Sequence, residues 1–360
     1  MKIGIILGTR PEIIKLAPVI RELEKRKLNY FIMHTGQHYS YNLDKLFFEE
    51  LNLPQPKYNL EVGSHTYGKQ INLMINRIEE KLKEEKPDIV LVEGDTNSVL
   101  AGALAAHKLG IKIGHVEAGL RSYSIMIEEI NRVLTGLYSD YHFAPTNLSK
   151  ENLLREGIPE SKIFVTGNTI VDALNENVRI SNEKRDILKK FNLEKDNYIL
   201  ITAHRPETVD NRKNLRNMLT GLEFVSKEFK IPLIFPMHPR TKDKINKFNM
   251  NHNIPKEVMV IEPQGYLEFL QLMINSKLII TDSGGIQEES CILNIPCVTI
   301  RESTERPETL NVGGNILSEI EPMQIIKNSQ VMINKERNWE NPFGDGKTAS
   351  RIIDILLKNF

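Results

Sequence analysis

The chain has 360 residues, more than one ordinary domain needs and enough for two α/β domains. Its 40% hydrophobic and 26% charged residues are those of a soluble globular chain, which argues against long disorder, a fibrous protein or a membrane span. Lys+Arg and Asp+Glu are both 47, so there is no basic excess to suit a nucleic-acid partner, and two cysteines, Cys291 and Cys297, make neither a disulfide framework nor a zinc site.

Along the chain, short apolar runs alternate with longer amphipathic stretches. The first run, Ile3–Leu7, is too short for a signal peptide and reads as a buried strand, so a soluble cytoplasmic protein is expected. Further strands are predicted at Tyr30–His34, Ile89–Glu93, Ile111–Val116, Tyr141–Ala144 and Ile163–Val165. Helices are predicted at Ile13–Lys25, Tyr67–Glu84, Val99–Leu109 and Glu128–Leu137. A polar, charged stretch from Asn175 to Asn197 has poor strand character, and a domain boundary is placed near Ala173.

The rhythm then restarts. Strands are predicted at Tyr198–Thr202, Leu233–Phe235, Val258–Ile261, Leu278–Thr281 and Pro296–Ile300, with helices at Leu215–Glu228, Leu267–Ile274, Ile286–Leu293 and Ile320–Ile333. Lys347–Lys358 reads as a last amphipathic helix. The expected fold class is α/β, with two Rossmann-like domains over 1–173 and 174–345. The end of the chain, about 346–360, is expected to pack back on the first domain. Ligands of such sheets bind beyond the carboxyl ends of the strands, here in a cleft between the domains.

Candidate chemistry falls at those strand ends. Gly8-Thr9-Arg10-Pro11-Glu12 closes the first strand and opens a helix, so free N–H groups, Arg10 and Lys15 together suit a phosphate; a helix-start proline with a surface arginine is the plainer alternative. No dinucleotide fingerprint and no P-loop is present. Asp282-Ser283-Gly284-Gly285 has the same form, with Glu288 and Glu289 placed to accept ribose hydroxyls; a serine N-cap and an acidic first turn are the alternative. Asp95, Glu117 and Glu128 are acids at or near strand ends of one half, where convergence would make an acid/base set. Alternatively Asp95 is an N-cap and Glu128 a first-turn acid. His204-Arg205 and His238-Pro239-Arg240 each place an imidazole and a cation after a strand, and Arg306 follows another. No histidine has metal-ligand spacing, so no metal is expected. Residues alone describe a two-domain enzyme for a phosphorylated, nucleotide-linked substrate.

The motifs also stand in a telling order. They are GTRPEIIKLAP at Gly8–Pro18, TGQH at Thr35–His38, EGDT at Glu93–Thr96, HVEAGLRS at His115–Ser122 and EEINRVLT at Glu128–Thr135. VTGNTIVDAL at Val165–Leu174, TDSGGIQEES at Thr281–Ser290 and TERPE at Thr304–Glu308 follow. The chain resembles the non-hydrolysing UDP-N-acetylglucosamine 2-epimerases from its first strand to about Gly314.

The resemblance implies a GT-B arrangement, a homodimer, and interconversion of UDP-N-acetylglucosamine and UDP-N-acetylmannosamine through loss and re-addition of UDP, with no cofactor. It implies that Arg10, Lys15, Ser283, Gly284 and Gly285 serve UDP, Glu289 the ribose, Phe269 the uracil and Arg306 the leaving group. Asp95, Glu117, Glu128 and His204 take the acid/base positions, with no carboxylate assigned to a face. Gln37, Arg205 and His238 match a second, activating UDP-N-acetylglucosamine site. The chain departs from the family pattern at Ile127, Gly136, Pro206-Glu207-Thr208 and Ser40. A hydrolysing 2-epimerase, a GT-B glycosyltransferase and a catalytically silent sensor are the rival readings.

Overall fold

The structure, a computed structural model, describes residues 1–37, 41–123, 126–184 and 187–360, with backbone alone for 41–44, 46, 183 and 184. His38 and Ser40 of the sequence reading lie outside the described residues. The chain divides into two compact units, Met1–Asn175 with Phe343–Phe360, and Glu176–Pro342.

In the first unit, β1 (Lys2–Leu7), β2 (Asn29–His34), β3 (Tyr58–Asn59), β4 (Ile89–Glu93), β5 (Lys112–Val116), β6 (Tyr141–Ala144) and β7 (Ile163–Val165) form one sheet. Its order is β3-β2-β1-β4-β5-β6-β7 and the pairs are all parallel. β1 from Ile3 and β4 up to Val92 are apolar and buried between helices, as a sheet covered on both faces requires. The second unit repeats the plan with β8 (Ile199–Thr202), β9 (Leu233–Pro236), β10 (Val258–Ile261), β11 (Leu278–Thr281), β12 (Cys297–Thr299) and β13 (Asn315–Leu317). Its parallel order is β10-β9-β8-β11-β12-β13. The expected α/β class with two Rossmann-like domains is therefore what the chain adopts.

Each sheet reverses its winding once, between β1 and β4 and between β8 and β11. Neighbouring connections leave in opposite directions there, which opens a crevice at the carboxyl edge. The last helix, Thr348–Asn359, belongs to the first unit. Its start is capped by Asp172, which accepts from Thr348 N at 3.2 Å and Ala349 N at 3.0 Å, and Arg26 reaches Asp354 at 2.5 Å.

The polar stretch from Asn175 onward, read in the sequence as poor in strand character, begins as a helix. That helix runs from Thr169 to Lys184, and the division between units falls within it. Its buried face carries Asn177 and Ser181, both without solvent exposure, and the Ser181 carbonyl accepts from Gln271 Nε2 at 2.7 Å. Polar residues on a buried face erase the hydrophobic period, so the helix is silent in the sequence. Among the described residues no helix is long and apolar enough to cross a membrane.

Candidate active site

The crevice of the first unit lies where the loops after β1 and β4 meet. Gly8 has no room for a side chain, since a Cβ there would stand 2.1 Å from both Thr35 Oγ1 and Ser98 Oγ. That close packing lets Glu12, 1% exposed, fold back and accept from Gly8 N at 2.5 Å and Thr9 N at 2.7 Å, and from the Thr96 hydroxyl. One carboxyl thus ties the β1 loop to the β4 loop. Burial pushes it up to about 7, against the opposing pull of these hydrogen bonds.

One helical turn on, Lys15 Nζ contacts Glu117 Oε2 and lies 3.5 Å from Glu93 Oε1. Glu93 ends β4 and Glu117 follows β5, so parallel pairing of the two strands brings the carboxyls together. Glu117 also accepts from Asn168 Nδ2 at 2.8 Å. Its backbone is left-handed, φ 63°, a conformation that costs a non-glycine residue about 1–3 kcal/mol and is kept where surroundings enforce it. Glu93 is held well above the usual carboxylate range, first by burial and then by Glu117, Glu12 and Asp95, with Lys15 opposing. His115, pushed down to about 3 by burial, is neutral and donates Nε2–H to the Gly94 carbonyl at 2.8 Å. That bond fixes the turn that carries Asp95.

Asp95 is partly exposed and meets Arg132 at 2.5 Å. Asn131 Nδ2 donates to its carbonyl at 2.9 Å, so the helix Ile127–Tyr138 sets its position. The two adjacent acids of that helix separate. Glu128 is exposed, whereas Glu129 is buried and accepts from Ser122 N, Ser122 Oγ and Arg132. Arg10 opens the first helix and lies over the Phe47 ring, 5.5 Å from its centroid. Asp95, Glu117 and Lys15 therefore share one strand-end region, and Glu128 projects to solvent.

In the second unit, β8 and β11 carry the crevice. Asp282, wholly buried, follows β11 and accepts from the backbone N–H groups of His204 and Arg205, each at 2.9 Å. His204 Nδ1 is 3.6 Å from Asp282 Oδ1, and the His204 and His238 rings are 5.3 Å apart. His238 caps the helix Pro239–Lys247 by accepting from Arg240 N at 3.2 Å. Burial lowers both imidazoles, and Asp282 pulls both the other way.

Ser283 stands at the N-cap position of the helix Gly284–Ile292, without a capping bond from its side chain. Beside it lies a buried ionic cluster, in which Glu305 meets Arg301 at 2.9 Å and Arg205 at 3.6 Å, and Arg306 meets Glu288 at 3.3 Å. Burial raises the Glu305 carboxyl, but Arg306, Arg301 and Arg205 together outweigh it and hold it at about 2. Glu289 is buried, and Tyr266 near it is driven well up by burial and by the Glu289 charge. Phe269 is half-buried against the core of this unit.

The two glycines differ. A Cβ on Gly284 would lie 2.3 Å from Glu305 Oε1, on a carboxylate whose other oxygen accepts from Arg301 at 2.9 Å, whereas a Cβ on Gly285 meets nothing within 4 Å. Gly284→Ala is expected to destabilise by about 1–3 kcal/mol through overpacking. Gly285→Ala is expected to leave thermal stability unchanged or higher by about 1 kcal/mol, from helix propensity. Thermal melts of the two variants check the difference. Equal losses would mean that Glu305 yields freely.

Sequence reasoning missed Glu12, Glu93, Asn168, Asp282, Arg301 and Glu305 as site residues. All but Arg301 lie inside or beside motifs singled out for other members. A position at or just beyond the end of a central strand was the available signal for Glu93 and Asp282. Among the described residues no group of His, Cys, Asp or Glu could hold a metal ion.

Acids gathered on a lysine at one switch point, and an Asp–His pair with a Gly-Gly helix start at another, define a two-unit Rossmann-type α/β protein equipped for acid/base work. The family model described as UDP-N-acetylglucosamine 2-epimerase matches residues 21–357. The UDP-N-acetylglucosamine 2-epimerase of Methanocaldococcus jannaschii is 55% identical, over 99% of both chains. Its crystal structure in complex with UDP-GlcNAc and UDP superposes with a TM-score of 0.92, covering 99% of this chain and 100% of that one. The Neisseria meningitidis enzyme bound to UDP-GlcNAc, 36% identical, gives 0.91 with 100% of both chains covered. A Pseudomonas aeruginosa UDP-2,3-diacetamido-2,3-dideoxy-D-glucuronate 2-epimerase is 38% identical, covering 99% of this chain and 100% of that one. The chain belongs to the UDP-N-acetylglucosamine 2-epimerase family.

Proposed function

We propose that the protein interconverts UDP-N-acetylglucosamine and UDP-N-acetylmannosamine without releasing the free sugar. The observation that carries this reading is Glu117, a buried carboxylate held in a strained backbone by Lys15 and Asn168 at the switch point of the first sheet. Such an acid has a fixed position and little water around it, as proton abstraction from a weakly acidic carbon demands. In the forward step the carbon 2 proton passes to a carboxylate. The C–H electrons form the carbon 1–carbon 2 double bond, and UDP departs with the carbon 1–oxygen pair. In the return step UDP adds to carbon 1 of the 2-acetamidoglucal and carbon 2 takes a proton on its other face. No carbon changes oxidation level overall, so no hydride carrier is needed.

Asp95, Glu117 and Glu128 are the acid/base candidates. Arg10, Lys15, Ser283, Gly284, Gly285 and Arg306 serve UDP, Glu289 the ribose and Phe269 the uracil, while His204 assists the departing diphosphate. In the structure Lys15 is engaged by Glu117 and Glu93, so part of its charge stabilises the acid group. Arg205 and His238, both of the second unit, are further substrate-binding candidates. A homodimer is part of the reading, supported by Ile127, Ile130 and Leu137, which are exposed on one face of a helix.

Proton NMR of a reaction with UDP-N-acetylglucosamine in deuterated water tests the proposal. Deuterium at carbon 2 of UDP-N-acetylmannosamine, with little free UDP, is the expected result. Stoichiometric UDP with free N-acetylmannosamine would assign the hydrolysing reaction instead. No change, against turnover of a 2,3-diacetamido uronate, would move the substrate to the sugar class of the Pseudomonas relative.

A further inference from the structure

Asp282 has more to do than shape a loop. It stands at the switch point of the second sheet, directly after β11, and has no solvent exposure. Both oxygens lie within 3.1 Å of His204 N, and Oδ2 also accepts from Arg205 N at 2.9 Å. The loop after β8 is thereby locked to the strand beside it, with a Thr202–Thr281 hydroxyl contact of 2.6 Å one residue deeper. The same carboxylate lies 3.6 Å from Nδ1 of His204. That distance is too long for a hydrogen bond but is the range in which catalytic contacts stand before substrate tightens them.

We propose that Asp282 is a positioning residue that turns Nδ1 of His204 toward its own carboxylate, so that Nε2 is the nitrogen that gains and loses the catalytic proton. The charged groups facing His204 support this assignment. Burial disfavours an imidazolium there first, Asp282 favours it, and His238, Arg205 and Arg240 add to the opposition. By favouring the imidazolium, that carboxylate would ease uptake at Nε2 of the proton that is then offered to a departing diphosphate. This last link rests on the function proposed above; the orientation of the ring does not.

The orientation is read on the unaltered protein by nitrogen NMR with 15N-labelled histidine. The His204 signals are assigned by their loss in His204→Asn. Expected is a neutral ring with its proton on Nδ1, titrating at Nε2. A neutral ring protonated on Nε2 overturns the proposal, whatever the enzyme's activity. Asp282→Asn supplies the second reading. Its kcat for the nucleotide sugar is expected to fall about a hundredfold with little change in KM. The alkaline limb of its pH profile is expected to move to lower pH, because a carboxylate that favours the imidazolium is gone. In a His204→Asn background the same change should add no further loss in kcat. A loss of thermal stability with an unmoved alkaline limb would reduce Asp282 to a structural residue. An Nδ1-protonated ring in a protein that does not turn over the nucleotide sugar would leave the positioning intact and remove the proposed function instead.

Discussion

Glu117→Gln is expected to lower the epimerisation kcat by about 10²–10⁴-fold, the range lost when a positioned proton-transfer group is removed. Glutamine keeps the size and one carbonyl oxygen, so it can still accept from Asn168. It cannot take a proton from carbon 2, and it leaves Lys15 with Glu93 as its remaining partner in this group. KM should change little, because the lost interaction matters chiefly in the transition state. Initial rates from substrate-saturation series, with circular dichroism to confirm the fold, decide the matter. Full turnover by the variant would take Glu117 out of the scheme and leave Asp95 as the partly exposed acid of that edge. The substitution should not repair the backbone strain, since glutamine is as disfavoured as glutamate at φ 63°.

The second large effect is on stability. Glu305→Gln is expected to destabilise the protein by roughly 3–5 kcal/mol at neutral pH, because it strips the anion from buried Arg301 and from half-buried Arg205. Arg301, at 2.9 Å, and Arg205, at 3.6 Å, would both lose a charged partner. The pH dependence has a definite sign. Glu305 is lowered from its ordinary 4.5 to about 2, so its contribution is fully present above 4.5 and is lost as pH falls through about 2. The gap between the parent and the variant in urea unfolding should therefore be constant from neutrality down to about 4.5 and narrow below it. A gap that is absent at neutral pH would show that the arginines find other partners at no cost.

Much of the fold was legible because it rests on local pattern. The β4 run Ile89–Glu93 and the β11 run Leu278–Thr281 are short and apolar on both faces, and only a strand in a covered parallel sheet suits them. The motifs between strands and helices were equally plain, because phosphate-binding geometry needs glycine and a helix start at fixed spacing. What was illegible had no period to show. β3 is two residues long and lies at the sheet edge, β13 follows two glycines, and the helix Thr169–Lys184 buries polar side chains.

The candidate site divides along the same line. Acids at strand ends, a Gly-Gly helix start and two His–cation clusters could be found from sequence alone, because each is a local feature with a chemical meaning. Their grouping could not. Whether Lys15 serves a phosphate or neutralises Glu117 depends on the register between β4 and β5, set by long-range pairing. Which of two adjacent acids is buried depends on where the helix Ile127–Tyr138 docks, and it buries Glu129 and exposes Glu128. Asp282 and Glu305 gain their partners from residues 78 and 100 positions away, Asp282 through the pairing of β8 with β11. Residue types and spacing thus determined the class of chemistry. The charge of each group was decided by burial and by neighbours brought together only in the tertiary structure, since desolvation and Coulomb terms act through space.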